Sequence, residues 1–464
     1  MDTAARQALM AAAGAENFSD AAVDRLLYAY DGTVFLWHRP EAVIRAAGTA
    51  QVSAVLAACT AHRVPLVPRG AGSGLTGGAV PIAGGVVLDL SGLNRILKID
   101  KADQVAVVQP GVVTARLQEA AAAQGLFYPP DPASVGFCTV GGNAAENAGG
   151  LRAVKYGVTR DYVLGLTAVL ADGRVFTTGG ANFKDVVGYD LTRLIVGSEG
   201  TLAVITELTM RLLPLPEAKA TVSGLFWDLE QAAAAVQAVL ASGIIPTACE
   251  FMDGASLKAV EAYARLGLPP QAEAMLVVDV DGPPEVVRRQ AQDLARLLAG
   301  GGGQQVQVAH EAAAAEALWR ARRVMGPAVR TLAPGILNED VVVPLGRLAT
   351  LMAAARRIGG QYGLAIPTFG HAGDGNLHVN VMYDPADPAQ NQAAQDAVRD
   401  IFATTLSLGG TLSGEHGVGL AKLGYVGARL DPVALELMRG LKRLFDPAGI
   451  LNPHKAIPGP EILP

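Results

Sequence analysis

The sequence predicts an α+β chain built from two unlike halves. Three observations carry that expectation. Strand-like runs in the first half are broken by glycine-dense loops. Pro214-Leu215-Pro216 interrupts the pattern once, and beyond it long alanine-rich helices alternate with strands, as they do when helices pack on an antiparallel sheet. The 464 residues exceed one ordinary domain, so two to three units are expected.

Residues 1–40 read as helices and a loop ending at Arg39-Pro40. A helical pattern from Ala50 to His62 runs into a short strand at 64–68. Strands follow at 85–90 and 105–109, the latter stopped by Pro110-Gly111, and then a helix at 112–124. A polar loop spans 129–150. Strands at 163–170 and 174–178 flank Asp172-Gly173, a hairpin signal, and 194–212 reads as two more strands. In the second half the helices fall at 229–242, 284–300 and 345–362, and the strands at 221–226, 275–280, 305–308, 339–343 and 376–382. The turn-rich tail at 445–453 is expected to dock back on the first half.

Composition excludes several classes. Half the residues are hydrophobic and mean hydropathy is +0.30, but much of this is alanine, and no uncharged apolar run reaches the length of a membrane span. The first twenty residues carry Asp2 and Arg6 and read as an amphipathic helix, not a signal peptide. A net charge of −6 without a basic block argues against nucleic acid as a partner. Cys59, Cys138 and Cys249 stand far apart with no CxxC, so neither an iron–sulfur cluster nor a cysteine zinc site is encoded, and a cytoplasmic setting fits. Peripheral attachment at the inner face of a membrane is left open.

The glycines are informative. Residues 68–78 read Pro-Arg-Gly-Ala-Gly-Ser-Gly-Leu-Thr-Gly-Gly, with five glycines in nine residues. Such a loop lets backbone N–H groups converge on an anion such as a pyrophosphate, where a simple turn needs fewer glycines. Gly72, Gly74 and Gly77 satisfy GxGxxG, but the loop runs into Ala79-Val80-Pro81 and a strand rather than a helix, so the Rossmann reading fails. A second small-residue segment runs from Pro130 to Ser134 and from Gly141 to Gly150, and a third is Gly197-Ser198-Glu199-Gly200-Thr201-Leu202.

Three of the seven histidines fall between 371 and 416. Asn376, His378 and Asn380 alternate with apolar residues, so they share one strand face, and His371 lies across the turn Gly373-Asp374-Gly375. Glu415-His416 follows, bracketed by glycines. Two imidazoles and a carboxylate suit Zn²⁺, Mn²⁺ or Fe²⁺ with open positions; satisfied histidines near turns are the plainer alternative. No HExxH exists.

PRGAGSGLTGG, GGNAAENAGG with LRAVKYG, and IVGSEGTLAVITE together resemble the FAD-binding half of the vanillyl-alcohol-oxidase-type flavoproteins, within the branch of the glycolate oxidase flavoprotein subunit, D-lactate dehydrogenase and D-2-hydroxyglutarate dehydrogenase. The resemblance covers residues from about 40 to 457. It implies an α+β fold with a non-Rossmann FAD-binding domain of two subdomains, a ferredoxin-like antiparallel-sheet cap domain for substrate, and a C-terminal segment returning to the FAD domain. The expected division is 1–40, 41–214, 215–430 and 431–464.

By resemblance, Pro68, Arg69, Gly70, Ala71, Gly72, Ser73, Gly74, Gly77 and Gly78 would cradle the pyrophosphate. Pro130, Asp131, Ser134, Gly142, Asn143, Asn147 and Gly149 would line the flavin and its ribityl chain. Gly197, Glu199, Gly200 and Ile205 would complete the site near the adenine, and Asn452 joins the cofactor set from the tail. No His or Cys lies between Arg69 and Pro81, so noncovalent FAD is expected.

The same resemblance implies His371, His378 and Glu415 as ligands of a divalent metal, His416 as general base and Asn380 at the substrate. Arg322, aligned through Trp319, matches the substrate arginine, a fork for a carboxylate; an exposed basic helix face is the other reading of that stretch. Where dicarboxylate-oxidising relatives carry a Lys this chain has Asn338, a departure that leans toward lactate or glycolate. The implied activity is FAD-dependent oxidation of a small D-2-hydroxy acid to the 2-oxo acid, with D-2-hydroxyglutarate as the alternative substrate. The sequence holds no second redox centre, so the electrons need an acceptor or partner, and a homodimer is left open. A metal-dependent hydrolase would leave the glycine loops unexplained, and a noncatalytic FAD-binding subunit would keep its colour when offered substrate.

Overall fold

A computed structural model describes residues 1–33 and 35–459 of the chain. The chain forms two compact units: Met1–Gly149, Gly157–Leu215 and Glu415–Pro464 make the first, and Gly150–Tyr156 and Pro216–Gly414 the second. The sequence reading carried the second region on to 430. Contacts instead group the chain from Glu415 onward with the first unit, because residues 418–421 bond to Thr76 and Glu199 there. Residues 460–464 of the expected tail lie outside the described residues.

The first unit contains two small sheets and a two-stranded ladder. One sheet runs in the order Phe18–Ser19, Ala42–Arg45, Val86–Asp89, Leu66–Arg69, with the last three strands parallel. Val86–Asp89 is buried along its whole length, as expected of a central parallel strand. Helix Thr49–His62 packs Val52, Val55, Leu56 and Cys59 into the core with Ile44, Leu66 and Leu88. The tail joins this sheet at its edge: Leu66 donates its N–H to Ile450 O at 2.8 Å, and Asn452 returns one to Leu66 O at 2.8 Å. The second sheet is antiparallel, in the order Ile96–Asp100, Val105–Val108, Val204–Arg211, Val163–Val169, Val175–Gly179.

Two expectations change here. Residues 194–212 hold one strand, not two, because Asp190 caps a short helix, Leu191–Ile195, by accepting from Arg193 N–H. The small-residue segment after 139 is not all loop: Thr139 caps a helix, Val140–Glu146, that ends at Asn147 in the left-handed region.

The second unit is a seven-stranded antiparallel sheet in the order Gln304–Ala309, Ala218–Phe226, Ala274–Gly282, Ala248–Asp253, Thr368–His371, Asn376–Tyr383, Gly335–Val342. Helix Pro284–Gly300 opens with Pro at its first turn and buries Val287, Ala291, Leu294 and Leu298, one stripe at helical spacing. Each large member of that stripe contributes about 1.5–3 kcal/mol by leaving water. The segment Gly150–Tyr156 belongs to this unit, anchored by Lys155 and Tyr156 on Asp281. Ala248–Asp253 is a strand the sequence reading passed over, since Glu250 and Asp253 break its apolar run. No helix among the described residues is long and apolar enough to cross a membrane.

Candidate active site

In the first unit the three glycine segments meet. Gly70 packs so closely on Thr139 that a side chain there would collide with its hydroxyl. Gly197 and Glu199 donate their N–H groups to Ala144 O and Ala145 O, each at 2.9 Å. Gly200, at φ +67°, lies against the Pro68 ring, where an added Cβ would stand 2.5 Å from Cγ. Asn452 ties the assembly: its Nδ2 donates to Gly78 O at 3.0 Å and to Glu199 O at 2.7 Å. Ile205 is buried.

Several side chains named from the sequence serve this scaffold. Arg69 turns toward 28–31, donating to Tyr30 O at 2.6 Å and lying over the Tyr28 ring. Asn143 donates to Thr114 Oγ1 at 2.8 Å, and Asn147 Oδ1 accepts from Arg160 N–H at 2.9 Å. Gln118 holds the Pro130 carbonyl, while Ser134 O accepts from Phe137 and Cys138 N–H groups. The first loop offers backbone instead: among the described residues, the N–H groups of Gly72, Ser73 and Gly74 meet no protein acceptor, and Gly72 is at φ +67°. Amides left without a protein acceptor on a glycine loop suit a pyrophosphate, so the loops fit a dinucleotide cofactor.

The turn carrying Glu415 and His416 is stitched to those loops. Thr76 donates its hydroxyl to His416 O at 3.2 Å, and Thr76 O accepts from Leu420 and Ala421 N–H groups. Glu199 accepts from Val418 N–H on Oε1 and Gly419 N–H on Oε2, both at 2.8 Å. Glu415 packs beside Gly149, and its carboxylate is 3.7 Å from His416 Nε2. Burial raises the carboxyls of Glu199 and Glu146, Glu146 well above the usual range with Glu199 and Asp31 adding repulsion. Burial also pushes the Lys455 ammonium down to about 7 against the pull of Asp31, Glu199 and Glu146.

In the second unit a polar cluster lies inside the sheet. Strand pairing sets His378 between Phe369 and Asp340, and Glu250 opposite His371. The His371 and His378 rings are perpendicular with centroids 5.3 Å apart. His371 Nδ1 lies 2.7 Å from Glu250 Oε1, and Arg322 on helix Ala312–Arg323 donates Nε–H to Glu250 Oε2 at 2.7 Å. The Arg322 guanidinium stacks 5.0 Å over Phe369, so this arginine is not part of an exposed basic face. Burial alone would raise the Glu250 carboxyl, but the charges of His371 and Arg322 hold it down at about 2. Asn380 is fully buried, donating to Pro367 O and His378 O and accepting from Asn338 at 2.5 Å. Asp340 accepts from Asn376, Ser413 and Gly414, and the chain passes from Gly414 directly to Glu415. Two neighbouring imidazoles among carboxylates are a donor set that fits a divalent cation.

Sequence reasoning missed Glu250, Asp340 and Lys455. The available signal at Glu250 was a lone acid inside Ala-Cys-Glu-Phe-Met-Asp, an expensive residue to bury without partners.

Comparison with known proteins agrees with this geometry. Residues 215–456 match the model of FAD linked oxidases, C-terminal domain, and residues 40–179 match that of an FAD binding domain. The chain is 44% identical over 450 residues to glycolate oxidase subunit GlcD of Bacillus subtilis (strain 168), covering 97% of this chain and 96% of that protein. It is 37% identical over 428 residues to D-lactate dehydrogenase of Anaerostipes hadrus, covering 90% and 89%. In fold it is similar to p-cresol methylhydroxylase with substrate bound, with TM-score 0.83, 20% identity and coverage of 98% of this chain and 96% of that one. A similar match is 4-ethylphenol oxidase from Gulosibacter chungangensis in its isoeugenol complex, with TM-score 0.79, 20% identity, and 99% and 97% covered. The chain therefore belongs to the FAD-linked oxidases of the vanillyl-alcohol-oxidase type, and it is an FAD-dependent oxidoreductase.

Proposed function

We propose that this oxidoreductase is a dehydrogenase of a small D-2-hydroxy acid, D-lactate or glycolate, which it converts to the 2-oxo acid with the help of a divalent metal. The observation that carries the reading is Arg322: Glu250 holds its Nε, and the outer Nη edge makes no hydrogen bond to protein among the described residues. A planar fork held from behind suits a substrate carboxylate. The names of the relatives, glycolate oxidase and D-lactate dehydrogenase, support the same substrate class. Asn338, paired to Asn380, supplies no cation for a second carboxylate, which speaks against the alternative, D-2-hydroxyglutarate.

FAD, held noncovalently in the glycine cradle, would supply the hydride-accepting chemistry for oxidation of the α-carbon. His371, His378 and Glu415 would hold a divalent cation, which would supply Lewis-acid activation of the substrate hydroxyl. His416 takes the hydroxyl proton on an imidazole nitrogen, the role of a general base. Arg322 holds the carboxylate; Asn380 is fully buried with its amide given to Pro367 O and His378 O, so it braces the His378 strand instead of meeting the substrate. The cofactor is held by backbone amides of 70–78 and by the turns around Pro130–Ser134, Gly142–Gly149 and Gly197–Gly200. Turnover would need an external electron acceptor or partner to reoxidise the flavin. A metal-dependent hydrolase gives no role to the FAD-binding segment at 40–179.

The test is anaerobic mixing with a panel of D- and L-2-hydroxy acids, with and without chelator. Bleaching of the flavin band by D-lactate or glycolate, slowed by chelator, is expected. Bleaching by none of them overturns the reading. Bleaching indifferent to chelator removes the metal alone.

A further inference from the structure

His371 and Arg322 have separate tasks in hydroxy-acid oxidation, and one side chain holds both. Glu250 sits mid-strand in Ala248–Asp253 with no accessible surface. Antiparallel pairing sets it directly opposite His371. One carboxylate oxygen lies 2.7 Å from His371 Nδ1, and the other accepts from Arg322 Nε at 2.7 Å.

We propose that Glu250 is a positioning residue that fixes the His371 ring for a divalent cation and the Arg322 plane for a substrate carboxylate. This rests on the hydroxy-acid reading above. A carboxylate facing Nδ1 takes the proton-bearing side of the imidazole, so the lone pair falls on Nε2, which would be the ligand atom. For Arg322 the constraint is geometric. The guanidinium is rigid and flat, so holding Nε on Glu250 and the face on Phe369 sets the direction of the Nη edge. An acid present only to neutralise a buried arginine would need no bond to His371. Nor is a buried ion pair a strong source of stability in itself. The double engagement is what a shared alignment of metal ligand and substrate fork requires.

The experiment uses the flavin-loaded protein, stripped of metal by chelator and titrated with Mn²⁺, with free Mn²⁺ read by electron paramagnetic resonance. KM is measured separately with whichever acid bleaches the flavin fastest. Glu250→Gln keeps size but replaces one carboxylate oxygen by an amide donor. It is expected to weaken Mn²⁺ binding about 10–100-fold, the usual effect of removing the partner of a metal-binding histidine. KM is expected to rise about tenfold, with flavin content unchanged. Glu250→Asp keeps the charge but cannot span both partners, so it is expected to lose one effect more than the other; it carries the test should the Gln variant fail to fold. A folded variant with wild-type Mn²⁺ affinity and wild-type KM overturns the proposal. His371→Ala separates the two layers: equal Mn²⁺ affinity in wild type and His371→Ala refutes the metal reading itself, and the His371 half of the proposal with it.

Discussion

Replacing Asn452 by alanine removes a side chain that is 2% exposed and ties two glycine segments together. Its Nδ2 donates to Gly78 O and Glu199 O, and its Oδ1 accepts from Lys455 Nζ at 2.7 Å. Two neutral hydrogen bonds at about 1 kcal/mol each and one bond to a charged group at about 2 kcal/mol give about 4 kcal/mol. Asn452 also sits at φ +39°, so alanine adds about 1 kcal/mol of backbone strain that glycine would avoid. For a unit of this size each kcal/mol moves Tm by about 2–4 °C, so a fall of about 10–20 °C is expected for Asn452→Ala and less for Asn452→Gly. If a third of the cost falls on the cofactor-bound form, FAD binding weakens about tenfold. Calorimetry and fluorescence titration of stripped protein with FAD measure the two effects. A Tm within about 2 °C of wild type, with unchanged flavin affinity, would refute the view that this residue holds the cradle together.

Arg322→Lys keeps the charge but loses the flat fork, so KM should rise about 10–100-fold, the equivalent of about 1.5–3 kcal/mol, while flavin content stays constant. An unchanged KM would remove Arg322 from substrate binding. Glu199→Gln disturbs the two amides that hold the His416 turn, and kcat is expected to fall about tenfold or more with FAD retained. Loss of flavin at undiminished kcat per bound flavin would instead place Glu199 with the cofactor. Burial raises Asp253 to about 6 from 3.8, despite its bonds to Ser256 and Thr368 N–H groups. The fold thus favours its neutral form, and this contribution is present below pH 3.8 and lost as pH rises through 6. The Tm advantage of wild type over Asp253→Asn should accordingly narrow from pH 4 to pH 7. A constant gap would show that Asp253 does not titrate in that window.

Features that depend on local chemistry were the legible ones. A glycine loop announces itself because close backbone approach demands glycine, and the alternation of Asn376, His378 and Asn380 encodes one strand face directly. Glu250 was not legible as an aligning group, because its partner His371 lies 121 positions away and only strand register joins them. The orientation of Glu199 was equally hidden: its sequence neighbours suggest a cofactor turn, whereas its carboxylate meets amides 219 and 220 positions later. Asn143 and Asn147 look like ligand contacts by residue type, yet tertiary packing turns them onto Thr114 and Arg160.

The tail that pairs with Leu66 bears on how the chain is made. The first unit draws on three separated stretches, and the strand edge at Ile450–Asn452 leaves the ribosome long after Leu66. The intervening Pro216–Gly414 stretch is continuous and can complete its own sheet during synthesis. The nascent first unit must meanwhile wait with an unfilled sheet edge and an untied cradle. The cradle is therefore complete only once the tail has been made.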